Sequence, residues 1–83
     1  MTKVYTVYDS KTEAYLQPFF MASNGAALRA FIDAVNDPAS AFGKHPEDFT
    51  LFELGTWDES TASLAMLATP VSLGVAITFL KPL

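Results

Sequence analysis

Eighty-three residues make one small domain, and a chain this short buries only roughly 60–65% of its extended surface. Its apolar fraction of 51% is enough for a packed core and excludes a disordered chain, and the absence of cysteine excludes disulfide staples and thiolate metal sites. Five basic residues against nine acidic ones give a net charge of −4, which makes a monomer a poor duplex DNA binder, because nonspecific binding needs aligned cations to displace phosphate counterions.

Lys3 to Asp9 reads as a strand, since Val4, Tyr5, Val7 and Tyr8 favour extended backbone. Apolar groups on both of its faces place it in the middle of a sheet. Asp9 to Glu13 is a polar turn that Ala14 to Gln17 extends. Pro18 breaks any ladder, so Phe19 to Met21 forms a short strand paired with the first.

The clearest helix runs from Asn24 to Asn36. Ser23 or Asn24 caps its first turn. Leu28, Phe31, Ile32 and Val35 form one apolar stripe. Arg29 and Asp33, four apart on the outer face, are spaced to pair. The helix ends at Asn36-Asp37-Pro38, because the residue before a proline avoids helical backbone. Pro38 to Pro46 is read as a loop.

Thr50 to Thr56 is a second strand. A period of two sends Thr50, Phe52, Leu54 and Thr56 one way and Phe49, Leu51, Glu53 and Trp57 the other. Gly55 inside that pattern suggests a bulge or a close contact. Asp58 to Ala62 turns the chain, and Ser63 to Ala68 returns as a hairpin partner until Thr69-Pro70 interrupts it. Val71 to Ala76 is open between a short helix and a loop, and Ile77 to Leu80 reads as a last short strand. Leu64 to Leu80 is the most apolar stretch, but Pro70, Ser72 and Gly74 interrupt it and it falls short of the ~20 apolar residues of a membrane span, so a buried strand or short helix is expected and no membrane is implied. The amino terminus alternates and lacks the apolar run of a signal peptide. These elements define an α+β fold: a single domain with a mainly antiparallel sheet of four to five strands and one main helix packed on one face.

The candidate chemistry is sparse. His45 lies beside Glu47 and Asp48, but three ligands crowded on one loop are poor metal geometry, and a proline-fixed turn is the simpler reading. A hydrolytic triad through His45 lacks the Gly-x-Ser-x-Gly elbow that would expose a serine. The carboxylates of Glu47, Asp48, Asp58 and Glu59 belong to solvated loops, where nothing splits their pKa values. The isolated glycines at 25, 43, 55 and 74 make no phosphate loop, so no cofactor is indicated. The aromatic residues are more numerous than so small a core needs. Tyr5, Tyr8, Phe52 and Trp57, from two strands read as neighbours, are candidates to stack unpaired bases on one sheet face. The competing assignments are core or dimer interface, with Trp57 the least core-like. An edge strand in such a hairpin also invites a homo-oligomer, which would gather the scattered cations.

The wording VYTVYDSKTEAY (Val4 to Tyr15), FGKHPEDFTLFELGTWDEST (Phe42 to Thr61) and TPVSLGVA (Thr69 to Ala76) resembles the small nonstructural protein of gokushovirus-type microviruses, which are single-stranded DNA bacteriophages. The resemblance covers nearly the whole chain. It implies a protein made in the host bacterial cytoplasm during infection and kept out of the mature virion, assisting the switch from duplex replication to single-stranded genome synthesis. It supplies no catalytic residue. The expectation is therefore a non-enzymatic accessory factor that binds single-stranded DNA or the replication complex. By residue type, its contacts would be Lys3, Lys11, Arg29, Lys44, Tyr5, Tyr8 and Trp57. The alternative is a protein–protein adaptor that oligomerises and docks on the phage initiator or a host replication protein without touching DNA.

Overall fold

Alternation along the first strand divides the molecule into two faces. In β1 (Thr2–Asp9), Tyr5 and Val7 point into the core, while Val4, Thr6 and Tyr8 point to the opposite side of the sheet. The computed structural model describes residues 1–82. After β1 come β2 (Ala14–Tyr15), β3 (Phe19–Met21), α1 (Asn24–Val35), α2 (Ala41–Lys44), β4 (Phe49–Asp58), β5 (Ser63–Val75) and a closing 3₁₀ turn, Ala76–Phe79. All the pairings are antiparallel; the sheet order is β2-β1-β4-β5, with β3 also paired to β1. The expected α+β architecture is the one observed, and β1 is central as its two apolar faces require.

One helix covers one face. Ser23 caps α1 by accepting the Ala26 N–H at 3.1 Å. The buried stripe is Ala27, Phe31 and Val35, with Leu28 half-buried at its margin. These residues pack on Tyr5, Val7, Phe49 and Leu51 of the sheet, and Ala76 closes the cluster. Arg29 and Asp33 are both exposed, and the ion pairs among the described residues lie elsewhere, at Lys3–Glu53 and between the amino terminus and Glu59. The predicted helical pair is thus not formed.

Four other expectations need correction. The segment from Pro38 to Pro46 is not all loop. Ser40 accepts the Gly43 N–H at 3.0 Å and caps α2, which holds Phe42 between Phe31 and Phe49 at ring-centre distances of 5.4 and 4.8 Å. Ala14 and Tyr15 form a short strand because the Leu16 N–H reaches the Val7 carbonyl at 2.8 Å and the Thr6 hydroxyl donates to the Leu16 carbonyl at 2.7 Å. Thr69-Pro70 does not end β5: the register shifts between Met66 and Val71, leaving Leu67 to Pro70 without partners on β4, and pairing then resumes to Val75. Ile77 to Leu80 is not a strand. The Thr78 hydroxyl donates to the Val75 carbonyl at 2.6 Å and the Leu80 N–H to the Ile77 carbonyl at 3.3 Å, which winds the backbone into the 3₁₀ turn.

No helix among the described residues is long and apolar enough to cross a membrane. The apolar stretch from Leu64 is not a buried strand, however. Residues 63–72 are exposed, and β5 is the outer strand of the sheet.

Candidate functional site

The sheet face away from α1 has no helix over it. Cross-strand partners share a face, so Tyr8 brings Tyr15 to this side and Val4 brings Phe20. The Tyr8 and Tyr15 rings lie 4.7 Å apart, and Tyr15 meets Phe52 edge-on at 5.9 Å. Further along, Phe20 meets Trp57 at 6.4 Å.

Trp57 reaches this face through a bulge. Tyr5 pairs with Glu53 and Val4 with Gly55, so Leu54 is the extra residue on β4. The insertion reverses the alternation beyond it, which places Trp57 opposite Thr2 and beside Phe20. A strict period of two had assigned Trp57 to the side of Leu51. Gly55 is required here, since a Cβ would collide with the Ala65 carbonyl of β5.

Two shallow grooves mark the face. One, of about 270 Å³, is lined by Thr6, Tyr15, Leu16, Pro18, Leu54 and Pro70. The other, of about 400 Å³, is lined by Thr2, Phe20, Trp57 and Leu64. No charged side chain lines either groove. Tyr15 and Phe20 are 54% and 50% exposed, values that leave much of each ring open to a partner.

The sequence candidates are only partly brought together. Tyr8 and Trp57 share the open face. Tyr5 does not: it is fully buried on the helix side, so it has no face to offer a base. Its hydroxyl donates to Asn24 Oδ1 at 2.7 Å, Asn24 Nδ2 donates to Glu53 Oε1 at 3.2 Å, and Lys3 Nζ lies 3.4 Å from Glu53 Oε2. Burial, and secondarily the Glu53 carboxylate, raises the Tyr5 phenol above its ordinary pKa. Lys3 is therefore engaged in a network that ties β1, α1 and β4 together. Lys11 sits in the β1–β2 turn, Arg29 is exposed on α1, and Lys44 ends α2. None of these cations lines the aromatic grooves.

Sequence reasoning missed Tyr15, Phe20 and Leu64. Tyr15 and Phe20 sit on strands of two and three residues around Pro18, too short to show a period. The signal for Tyr15 was the Asp9–Ala14 hairpin, which sets it opposite Tyr8.

His45, Glu47 and Asp48 bring their ligand atoms within 4.8 Å of one another, with His45 and Glu47 exposed. The loop's own bonds are structural: the Asp48 carbonyl accepts the Ser10 N–H and the Pro46 carbonyl accepts the Ile77 N–H, both at 2.9 Å. The Asp48 N–H donates to the His45 carbonyl at 3.0 Å, which closes a turn through Pro46 and Glu47.

One sheet face under a helix and one aromatic face left open define the class: a small α+β domain with a neutral, apolar open face. The chain belongs to the Phage ORF5 protein family, whose model matches residues 2–79, from the first residue of β1 to the last of the 3₁₀ turn. It is thus a bacteriophage protein. No curated protein and no solved structure matches the chain.

Proposed function

We propose that this phage protein is a non-enzymatic adaptor in viral DNA replication, docking its open sheet face on the phage initiator or a host replication protein in the host cytoplasm. The replication setting and the microvirus lineage come from the sequence resemblance carried by Val4 to Tyr15, Phe42 to Thr61 and Thr69 to Ala76. One observation carries the choice of a protein partner: the grooves that hold Tyr15, Phe20 and Trp57 are uncharged. A nucleic-acid groove would set lysine or arginine beside its aromatic residues to neutralise phosphate. Desolvated aromatic anchors with few charges are instead the makings of a protein interface core.

The test uses the intact chain, the purified initiator and host replication proteins, and a labelled single-stranded oligonucleotide. The double variant Tyr15→Asp/Phe20→Asp, which alters exposed rings, is expected to lower capture of its replication partner at least tenfold while circular dichroism stays unchanged. The oligonucleotide is expected to bind neither form.

A second reading, single-strand binding, has the exposed rings of Tyr15 and Phe20 in its favour, since base stacking tolerates any sequence. It requires oligonucleotide binding that quenches Trp57 fluorescence and weakens steeply with salt. That result, without capture of a replication protein, would replace the adaptor reading.

A further inference from the structure

The two edges of the sheet are built differently. One side of β1 is occupied by β2 and β3, two and three residues long and separated by Pro18, so this edge is short and broken. Short edge strands and prolines are ordinary devices against unwanted strand pairing. The other edge is β5, thirteen residues long. No charged residue lies between Glu59 and Lys81. Over Ser63 to Met66, β5 pairs with β4 on one side only, while Leu64 and Met66 are 55% and 56% exposed. No lysine guards this strand, and its first proline is Pro70.

We infer that Ser63 to Leu67 of β5 pairs antiparallel with the same segment of a second copy, joining two sheets into one. A row of free main-chain donors and acceptors accepts another strand in preference to any other shape. The absence of charge from Ser60 to Leu80 suits this edge to an equally neutral strand, and the same segment of a second copy is one: self-pairing directly opposes no like charges and keeps the acidic residues behind each chain's net −4 off the contact. Pro70 has no N–H to donate, and the unpaired Leu67 to Pro70 bulge limits the pairing on that side.

The symmetry has a structural consequence. The two-fold axis of an antiparallel pair stands perpendicular to the sheet, so a residue and its copy lie on one face. Centred on Ala65, the pairing sets Leu64 of one copy against Met66 of the other. Both belong to the open face, since they pair with Trp57 and Gly55 of β4. The dimer would therefore place two aromatic faces on the same side of a continuous sheet. The pairing uses the main-chain edge of β5 and shares only Leu64 with the grooves of the adaptor reading, so it does not depend on what they bind.

Light scattering after size exclusion tests it on the whole chain. The natural sequence is expected at twice its 9.0 kDa mass, falling toward one mass on dilution. Met66→Lys/Leu67→Lys, which adds the missing guard at exposed positions, is expected to stay at one mass with unchanged circular dichroism. As a check that does not depend on the behaviour of that variant, Ala65→Cys gives a chain with one thiol. A short bismaleimide should link it into a covalent dimer, whereas Arg29→Cys on the outer face of α1 should not link. A single-chain mass at every concentration, a dimer that survives the lysine pair, or failure of Cys at position 65 to cross-link would overturn the inference. So would a dimer abolished by Phe20→Asp and untouched by the lysines, which would assign self-association to the open face instead. Loss of partner capture by Tyr15→Asp/Phe20→Asp is read separately and leaves this result standing or falling alone.

Discussion

Tyr5 is the residue on which the two sides of the fold meet. Its ring is core, stacked 5.7 Å from Phe19, while its hydroxyl begins the chain of contacts through Asn24 to Glu53 and Lys3. Tyr5→Phe keeps the packing and strands Asn24 Oδ1, so a loss of about 1–2 kcal/mol is expected in urea unfolding. The pH dependence has a definite sign. The folded state raises the phenol's pKa and so holds its proton more tightly than the unfolded chain does. That contribution is complete below the unfolded value of about 10 and is lost as pH rises through the folded value. The natural chain should therefore lose stability more steeply than Tyr5→Phe as pH rises above about 10. A second residue tests backbone strain. Ala62 closes the β4–β5 turn at φ 56°, in the left-handed region, where a side chain costs about 1–2 kcal/mol. Ala62→Gly is expected to raise the urea midpoint, corresponding to roughly 0.5–1 kcal/mol after the added unfolded-state entropy of glycine.

Among the elements, the β4–β5 hairpin depends most on one small residue. Gly55→Val would drive a side chain into the Ala65 carbonyl and unpair the hairpin where the bulge already bends it. A cost of about 1–3 kcal/mol is expected, with Trp57 fluorescence shifting toward the solvent-exposed range. Gly55 was also where the sequence spoke most usefully, because a glycine inside an aromatic strand marks a bulge or a close contact, and β4 has both. What the alternation did not disclose was the consequence, the transfer of Trp57 to the face of Phe20. The helix was legible because Ser23, the apolar stripe and Pro38 agree on its limits. The short α2 was not, since four residues show no period and their order comes from the Ser40 cap and the Phe42 packing. The tail was misread because β-branched Ile77 and Thr78 favour strand, whereas the Thr78 hydroxyl bonds back to Val75 and wins locally.

At the scale of the whole molecule, charge and apolar surface are segregated. The principal extents of 45 × 24 × 18 Å describe a long plate, with a helix on one face and neutral aromatic grooves on the other. The dispersion of the basic residues was plain in the sequence. Their separation from the rings was not, because it depends on which strands pair and where β4 bulges. A neutral face makes a whole-molecule prediction: partner capture through the grooves should change less than about threefold between low and moderate salt. A phosphate-binding surface with even two or three contacts would weaken far more over that range.

The far end of the chain bears on how such a plate is made. Asn36 donates to the carbonyls of Ile32 and Phe79 at 2.9 and 3.0 Å and accepts the Lys81 N–H at 2.7 Å, while Ala76 fills the last space beside the helix. β1 needs β4 for one neighbour, and the interior is closed by a piece some forty residues beyond the helix. Folding must therefore bring together pieces far apart in the sequence: helix and hairpin draw on local contacts, and the interior is sealed when the 3₁₀ turn docks beside them.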